Sequence, residues 1–355
     1  MSAPIADARI DRPGARLLDR ARREGTPLVD RDCATLVWEG PRPPRLIGDF
    51  THWEREPVAL RRANDGIWSR SIEFYDDAYV EYAYLDGERR VNDPFNRRRI
   101  PNGVGAVNHS FYMPRGSPTP LARRRRGVPR GRLTRHVIVA KGLVARGRRA
   151  IQLYAPPARG PWPLLVVFDG ADYVRRVRLP TIADNLIADG RTRPFAMALV
   201  DSDRDARIIE YAASEPTLTF VLDHVVPFAR ERLDLSSTHS AHAVLGASMG
   251  GIMAMYAALQ APGTFGAVIS QSGAFWLPGW RDNAVFYLAR DVPRRVRRVW
   301  MDVGHLEYLV AGNRRLRRLL RSRGYDVTYR EYHGGHNWTA WRDEVWRALE
   351  AVFGA

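Results

Sequence analysis

The chain has 355 residues, 45% hydrophobic and 26% charged, enough apolar material for two packed domains and too much for a disordered chain. Its single cysteine, Cys33, excludes an intramolecular disulfide framework and a cysteine-based zinc site. The formal net charge of +16 is carried almost wholly by arginine, since Lys141 is the only lysine. Such a balance attracts nucleic acid, an acidic lipid surface or an anionic small molecule, and an arginine bias in composition produces it equally.

The first 33 residues read as an N-terminal extension. The segment from Met1 to Gly25 is charged throughout and has no apolar run of signal-peptide length, so no secretory signal is expected. No segment approaches the roughly 20 consecutive apolar residues of a membrane span, so a cytoplasmic protein without a membrane partner is expected. A short amphipathic helix is predicted around Ala15 to Arg23.

From Thr35 to Pro114 the texture changes to short, aromatic-rich runs. TLVWEG, RLIGDF, GIWSRSIEF and YVEYAYLDG alternate apolar with polar residues, predicting strands exposed on one face. Asn64-Asp65-Gly66 and Asp86-Gly87 are hairpin signals between them. The pattern predicts a small β-sandwich over 34–114. Residues 115–132, rich in Pro, Gly and Arg and including the run Arg123 to Arg126, read as a solvated interdomain linker.

Residues 133–355 form the predicted catalytic domain. HVIVAK and RAIQLYAPP suit an antiparallel pair. PLLVVFDG, FAMALVDS, HAVLGAS, FGAVISQSG and RRVWMDVG are nearly continuous apolar strands of the kind buried on both faces. The helical patterns IMAMYAALQAP, NRRLRRLLRSRG and TAWRDEVWRALEAVF lie among them, so the fold class predicted is α/β, a three-layer α/β-hydrolase sandwich behind the small all-β domain.

The chemistry centres on Gly246-Ala247-Ser248-Met249-Gly250, a G-x-S-x-G motif between an apolar strand and an apolar helix. A serine hydroxyl is a weak nucleophile and needs a sharp strand-to-helix turn to reach both a base and a carbonyl. Glycines relieve that turn, and the amides at the helix N-terminus favour developing negative charge. Ser248 is therefore the candidate nucleophile. In this fold the acid and the histidine follow the serine in the chain. His336, in HGGHNW after the last predicted strand, is the candidate base, with His333 as competitor. The acid belongs in the loop after RRVWMDV. Glu307 stands there, and Asp302, on the strand itself, is the other option. The oxyanion donors expected are the backbone N–H of Met249 and one near Gly170 and Ala171, of which Ala171 is chosen. No metal cluster is present, and no cofactor is required by this chemistry.

GASMGG, SQSGAFW (Ser270 to Trp276), the FDG loop (Phe168 to Gly170), RIIEY (Arg207 to Tyr211) and GGHNW together resemble the enterochelin esterases and their esterase relatives, over about residues 130–355. The β-rich segment agrees, because those enzymes carry an Ig-like domain ahead of the hydrolase, and LIGDFTHW resembles a glycogen-binding early-set module. The resemblance implies ester hydrolysis by a Ser–His–acid arrangement through an acyl-enzyme. The ferric catecholate siderophore trilactone would be the anionic small-molecule substrate, cleaved in the cytoplasm for iron acquisition. It further implies that Arg207 contacts substrate or braces its loop with Glu210, and that Trp276 lines the pocket or sits in the core.

Two other readings stay open. A carbohydrate or acyl-sugar esterase would use Asp49, Phe50 and Trp53, which resemble a glycan-module signature, and would be retained on immobilised glycogen or starch. An anion- or nucleic-acid-binding protein with a vestigial hydrolase site would rest on the arginines alone; its binding would fall steeply with salt.

Overall fold

Alternation of apolar and polar residues near the start of the chain produces two antiparallel sheets. The computed structural model describes residues 14–64, 66–103, 105–238, 240–276, 283–291 and 296–354. The charged stretch at 1–13 and Asp65 of the expected hairpin lie outside these. The chain divides into two units, one comprising residues up to Pro118 with Gly304–Tyr308 and Tyr332–Ala340, the other comprising Thr119–Val303, Leu309–Glu331 and the residues from Trp341.

In the first unit the strands are β1 (Leu28–Asp30), β2 (Cys33–Glu39), β3 (Arg45–Gly48), β4 (Val58–Ala59), β5 (Arg61–Asn64), β6 (Ile67–Glu73), β7 (Tyr79–Asp86), β8 (Arg89–Val91), β9 (Arg99–Pro101) and β10 (Val107–Tyr112). They order as β1-β2-β6-β5 in one sheet and β4-β3-β7-β10-β9 in the other, with β8 on β7. Leu36 and Ile72 of the first sheet pack with Leu46, Val80, Tyr82 and Phe111 of the second, which makes the Ig-like sandwich. The predicted N-terminal helix forms over Gly14–Glu24 and buries Leu17, Leu18 and Ala21 against Leu28, Val37 and Ile67. The expectation of one exposed face fails for β7. Tyr79 to Tyr84 are all buried, and the Glu81 carboxylate is satisfied inside by the Tyr79 hydroxyl and the Asn108 amide.

The second unit holds β11 (Arg132–Val139), β12 (Arg148–Ala155), β13 (Leu164–Phe168), β14 (Ala196–Val200), β15 (His242–Ala247), β16 (Phe265–Gln271), β17 (Arg298–Gly304) and β18 (Val327–Tyr332). Their order, β11-β12-β14-β13-β15-β16-β17-β18, is that of the α/β-hydrolase sheet. β11 and β12 pair antiparallel, as do β12 and β14, and from β14 through β13, β15 and β16 to β17 the pairing is parallel. β13, β14, β15 and β16 are buried at every residue, as their unbroken apolar sequences require. The arginine-rich stretch is held in place at Arg125, which bonds Asn185 (2.9 Å) and Asp189 (2.7 Å). No helix among the described residues is long and apolar enough to cross a membrane.

Candidate active site

In the second unit Ser248 stands between β15 and the helix Met249–Gln260 with φ 59° and ψ −122°, a positive φ that a non-glycine residue adopts only under constraint. The constraint is visible around it. Its N–H donates to the Gln271 carbonyl (2.9 Å), and its carbonyl accepts from Gly251 (3.0 Å) and Ala274 (3.1 Å). A Cβ on Gly246 would lie 2.1 Å from the Gly250 carbonyl oxygen, and one on Gly251 would lie 2.7 Å from Ser270 Oγ. The glycines are thus set by close approach, Gly246 to the backbone of Gly250 and Gly251 to the SQSG segment. Met249 opens the helix, where first-turn N–H groups have no intrahelical acceptor.

The second oxyanion candidate lies in the turn after β13. Asp169 adopts a left-handed conformation, and a Cβ on the following Gly170 would collide with β14 at 2.4 Å from the Leu199 carbonyl carbon. Ala171 follows, half-buried. Burial raises the pKa of Asp201, and the Ala171 backbone N–H opposes that rise.

Arg207 is what holds this turn. Its guanidinium forms a bidentate pair with Asp169 (Nε–Oδ1 2.8 Å, Nη2–Oδ2 2.7 Å) and lies over the Tyr211 ring. Burial lowers the Arg207 pKa, but the hydrogen bonds to Asp169 outweigh it and the net shift is upward. The brace expected with Glu210 is corrected. Glu210 is buried against Arg149 of β12 instead. Trp276 is half-buried and packs its Cβ where a Cβ on Gly312 would fall, 2.7 Å away. A cleft of about 390 Å³ beside Ala171 is lined by Arg135, Arg175 and Arg204 together with Asp169, Asp172 and Asp201.

The first unit carries the candidate acid Glu307 and the candidate base His336. His305 and Leu306 donate backbone hydrogen bonds to Tyr332 (2.8 Å) and Gly334 (3.1 Å), which lays the loop after β17 along the loop after β18. Glu307 Oε2 then lies 2.7 Å from His336 Nδ1, and its Oε1 accepts from the Gly304 N–H (2.8 Å) and the Tyr332 hydroxyl (3.1 Å). The Glu307 side chain is fully buried while the His336 ring keeps a quarter of its surface. Asp302 is engaged elsewhere, its Oδ2 accepting the Trp300 indole N–H at 2.8 Å. The competitor His333 pairs with Asp77 (2.5 Å) and stacks on Tyr75 at 3.8 Å. Asp49 and Phe50 are buried, and Trp53, half-buried, has Arg90 over its ring. Among the described residues no cluster of three or more metal-ligating side chains occurs.

Sequence reasoning missed the Tyr332 hydroxyl on Glu307 and the Asp169–Arg207 pair. FDG and RIIEY had each been singled out, and an aspartate and an arginine at two adjacent strand ends were the available signal.

Residues 145–352 match the model of a family described as putative esterase. The iron(III) enterobactin esterase of Dickeya dadantii is 28% identical over 90% of this chain and 88% of its own length. The solved ferric enterobactin esterase of Salmonella typhimurium superposes with a TM-score of 0.78 at 21% identity, covering 90% of this chain and 93% of that one. A ferulic acid esterase covers 63% of this chain and 98% of its own, with a TM-score of 0.57 at 18% identity. The family match spans more than half of the chain and contains Ser248, Glu307 and His336; the chain belongs to the putative esterase family and is a carboxylic ester hydrolase.

Proposed function

We propose that the protein is a serine esterase that opens the trilactone of a ferric catecholate siderophore through an acyl-enzyme, in the cytoplasm, so that iron is released. The observation that carries the substrate is the extent of likeness: the enterobactin esterase of Dickeya dadantii matches over 90% of this chain, β-sandwich included.

Glu307 on Nδ1 makes Nε2 the nitrogen of His336 that would take the serine proton. In the first half-reaction Ser248 Oγ bonds to the lactone carbonyl carbon while its proton passes to His336 Nε2, and the Met249 and Ala171 amides receive the oxyanion. Collapse breaks the acyl C–O bond, and the departing alkoxide takes the proton from His336. Water then attacks the acyl-enzyme, again giving its proton to His336, which returns one to Ser248 as the carboxylic acid leaves. Glu307 stays ionised and stabilises the imidazolium.

The test is hydrolysis of ferric enterobactin and of short p-nitrophenyl esters by wild type and Ser248→Ala. The reading expects far higher kcat/KM on the trilactone and a loss on the order of 10⁶-fold in the variant. Cleavage of the simple esters alone would remove the siderophore, and an unchanged variant would remove the nucleophile.

A further inference from the structure

Asp49 closes the turn after β3, where Thr51 Oγ1 accepts the Gly48 N–H at 2.9 Å and fixes the backbone. Its carboxyl points inward and is 3% exposed. Oδ2 accepts two donors, the Glu81 N–H of β7 at 2.8 Å and the Asn337 side-chain amide at 3.2 Å. Asn337 in turn accepts the Ala340 N–H at 2.9 Å through its own carbonyl, which fixes the start of the last helix. Gly335 lies directly on the same carboxyl: a Cβ there would fall 2.0 Å from Asp49 Cγ and 2.2 Å from Oδ1. Asp49 therefore touches the residues on both sides of His336. Nothing between 335 and 337 can shift without breaking one of these contacts, and His336 lies at the centre of the turn with Nδ1 on Glu307.

We propose that Asp49 is a positioning residue for His336: it seats the Gly335–His336–Asn337 turn so that the imidazole meets Glu307. This rests on the reading of His336 as general base. The β-sandwich would then be part of the catalytic apparatus rather than an appended module. Burial raises the Asp49 pKa well above the ordinary carboxylate value, and the charges of Glu81 and Glu307 raise it further. Because both donors meet one oxygen, an amide in its place keeps the same bonds.

The experiment measures kcat and KM on a short p-nitrophenyl ester for wild type, Asp49→Asn, Asp49→Ala and His336→Ala, with thermal melts to establish that each is folded. Misplacing a catalytic group by about 1 Å costs on the order of 100-fold. Asp49→Ala should lose about that factor in kcat with KM within about threefold, and Asp49→Asn should stay within about threefold of wild type. A folded Asp49→Ala enzyme with wild-type kcat, or equal losses in the Asn and Ala variants, overturns the proposal. Where Asp49→Ala does not fold, Gly335→Ala replaces it. Its methyl drives the turn off the carboxyl and should lower kcat alone, and a wild-type kcat in it counts against the proposal. An inactive His336→Ala beside an unaffected Asp49→Ala sinks this proposal only, whereas an active His336→Ala sinks the general-base reading beneath it.

Discussion

Acid should destabilise this protein through His242, a histidine outside the Glu307–His336 pair. His242 opens β15, is 3% exposed, and accepts the Leu164 N–H through Nδ1 at 3.1 Å. Protonation would place an N–H against an N–H in a site that excludes water. Burial, and secondarily the charge of Arg230, lower its pKa from 6.5 to about 4. In the window between those values the unfolded chain binds the proton and the folded chain does not, so stability rises with pH. A histidine titrating at 6.5 unfolded and about 4 folded loses about 2.5 kcal/mol of folding free energy between neutrality and pH of about 4.5. His242→Asn offers an acceptor oxygen to Leu164 and has no proton to gain. Urea unfolding of both proteins at about pH 7 and about pH 4.5 measures the difference. Wild type should lose about 2.5 kcal/mol more than the variant on acidification. Parallel losses would show that His242 is not the group that titrates.

Other substitutions separate the parts of the site. Gly246→Ala should cut hydrolysis at least 100-fold and cost about 1–3 kcal/mol in a melt, because its methyl would meet the Gly250 backbone at 2.1 Å. Glu307→Gln should lower kcat on the order of 10⁴-fold, as for a triad acid, while Asp302→Asn should leave most activity, since Asp302 serves the Trp300 indole. A larger loss in Asp302→Asn than in Glu307→Gln would return the acid to Asp302. Arg149→Ala strands Glu210 in the interior and should cost about 3–5 kcal/mol by denaturation. The double variant Arg149→Met/Glu210→Leu should recover much of that loss.

What was legible in the sequence was what short-range pattern records. Apolar runs of five to seven residues mark strands buried on both faces, and the glycines beside Ser248 mark a backbone too close to its neighbours to carry side chains. Glu307 and His336 were candidates because the fold places acid and base on loops after particular strands, and the two side chains lie within hydrogen-bond distance. Long-range pairing left no such trace. Glu210 is three residues from Arg207 and invited a local brace, but the sheet brings Arg149, 61 residues away, to it and gives Arg207 to Asp169. Glu81 looked solvent-facing by alternation, and only tertiary partners on Tyr79 and Asn108 make its burial tolerable. Asp49 was visible as part of a turn signature, whereas its hold on Asn337 spans 288 residues.

The central claim, that Ser248 is the nucleophile activated by His336, is tested most directly by fluorophosphonate labelling followed by peptide mass spectrometry. The account predicts one label per chain, on Ser248, with activity lost in proportion, and no label on His336→Ala over the same time. Full esterase activity in an enzyme labelled elsewhere, or not at all, would contradict it.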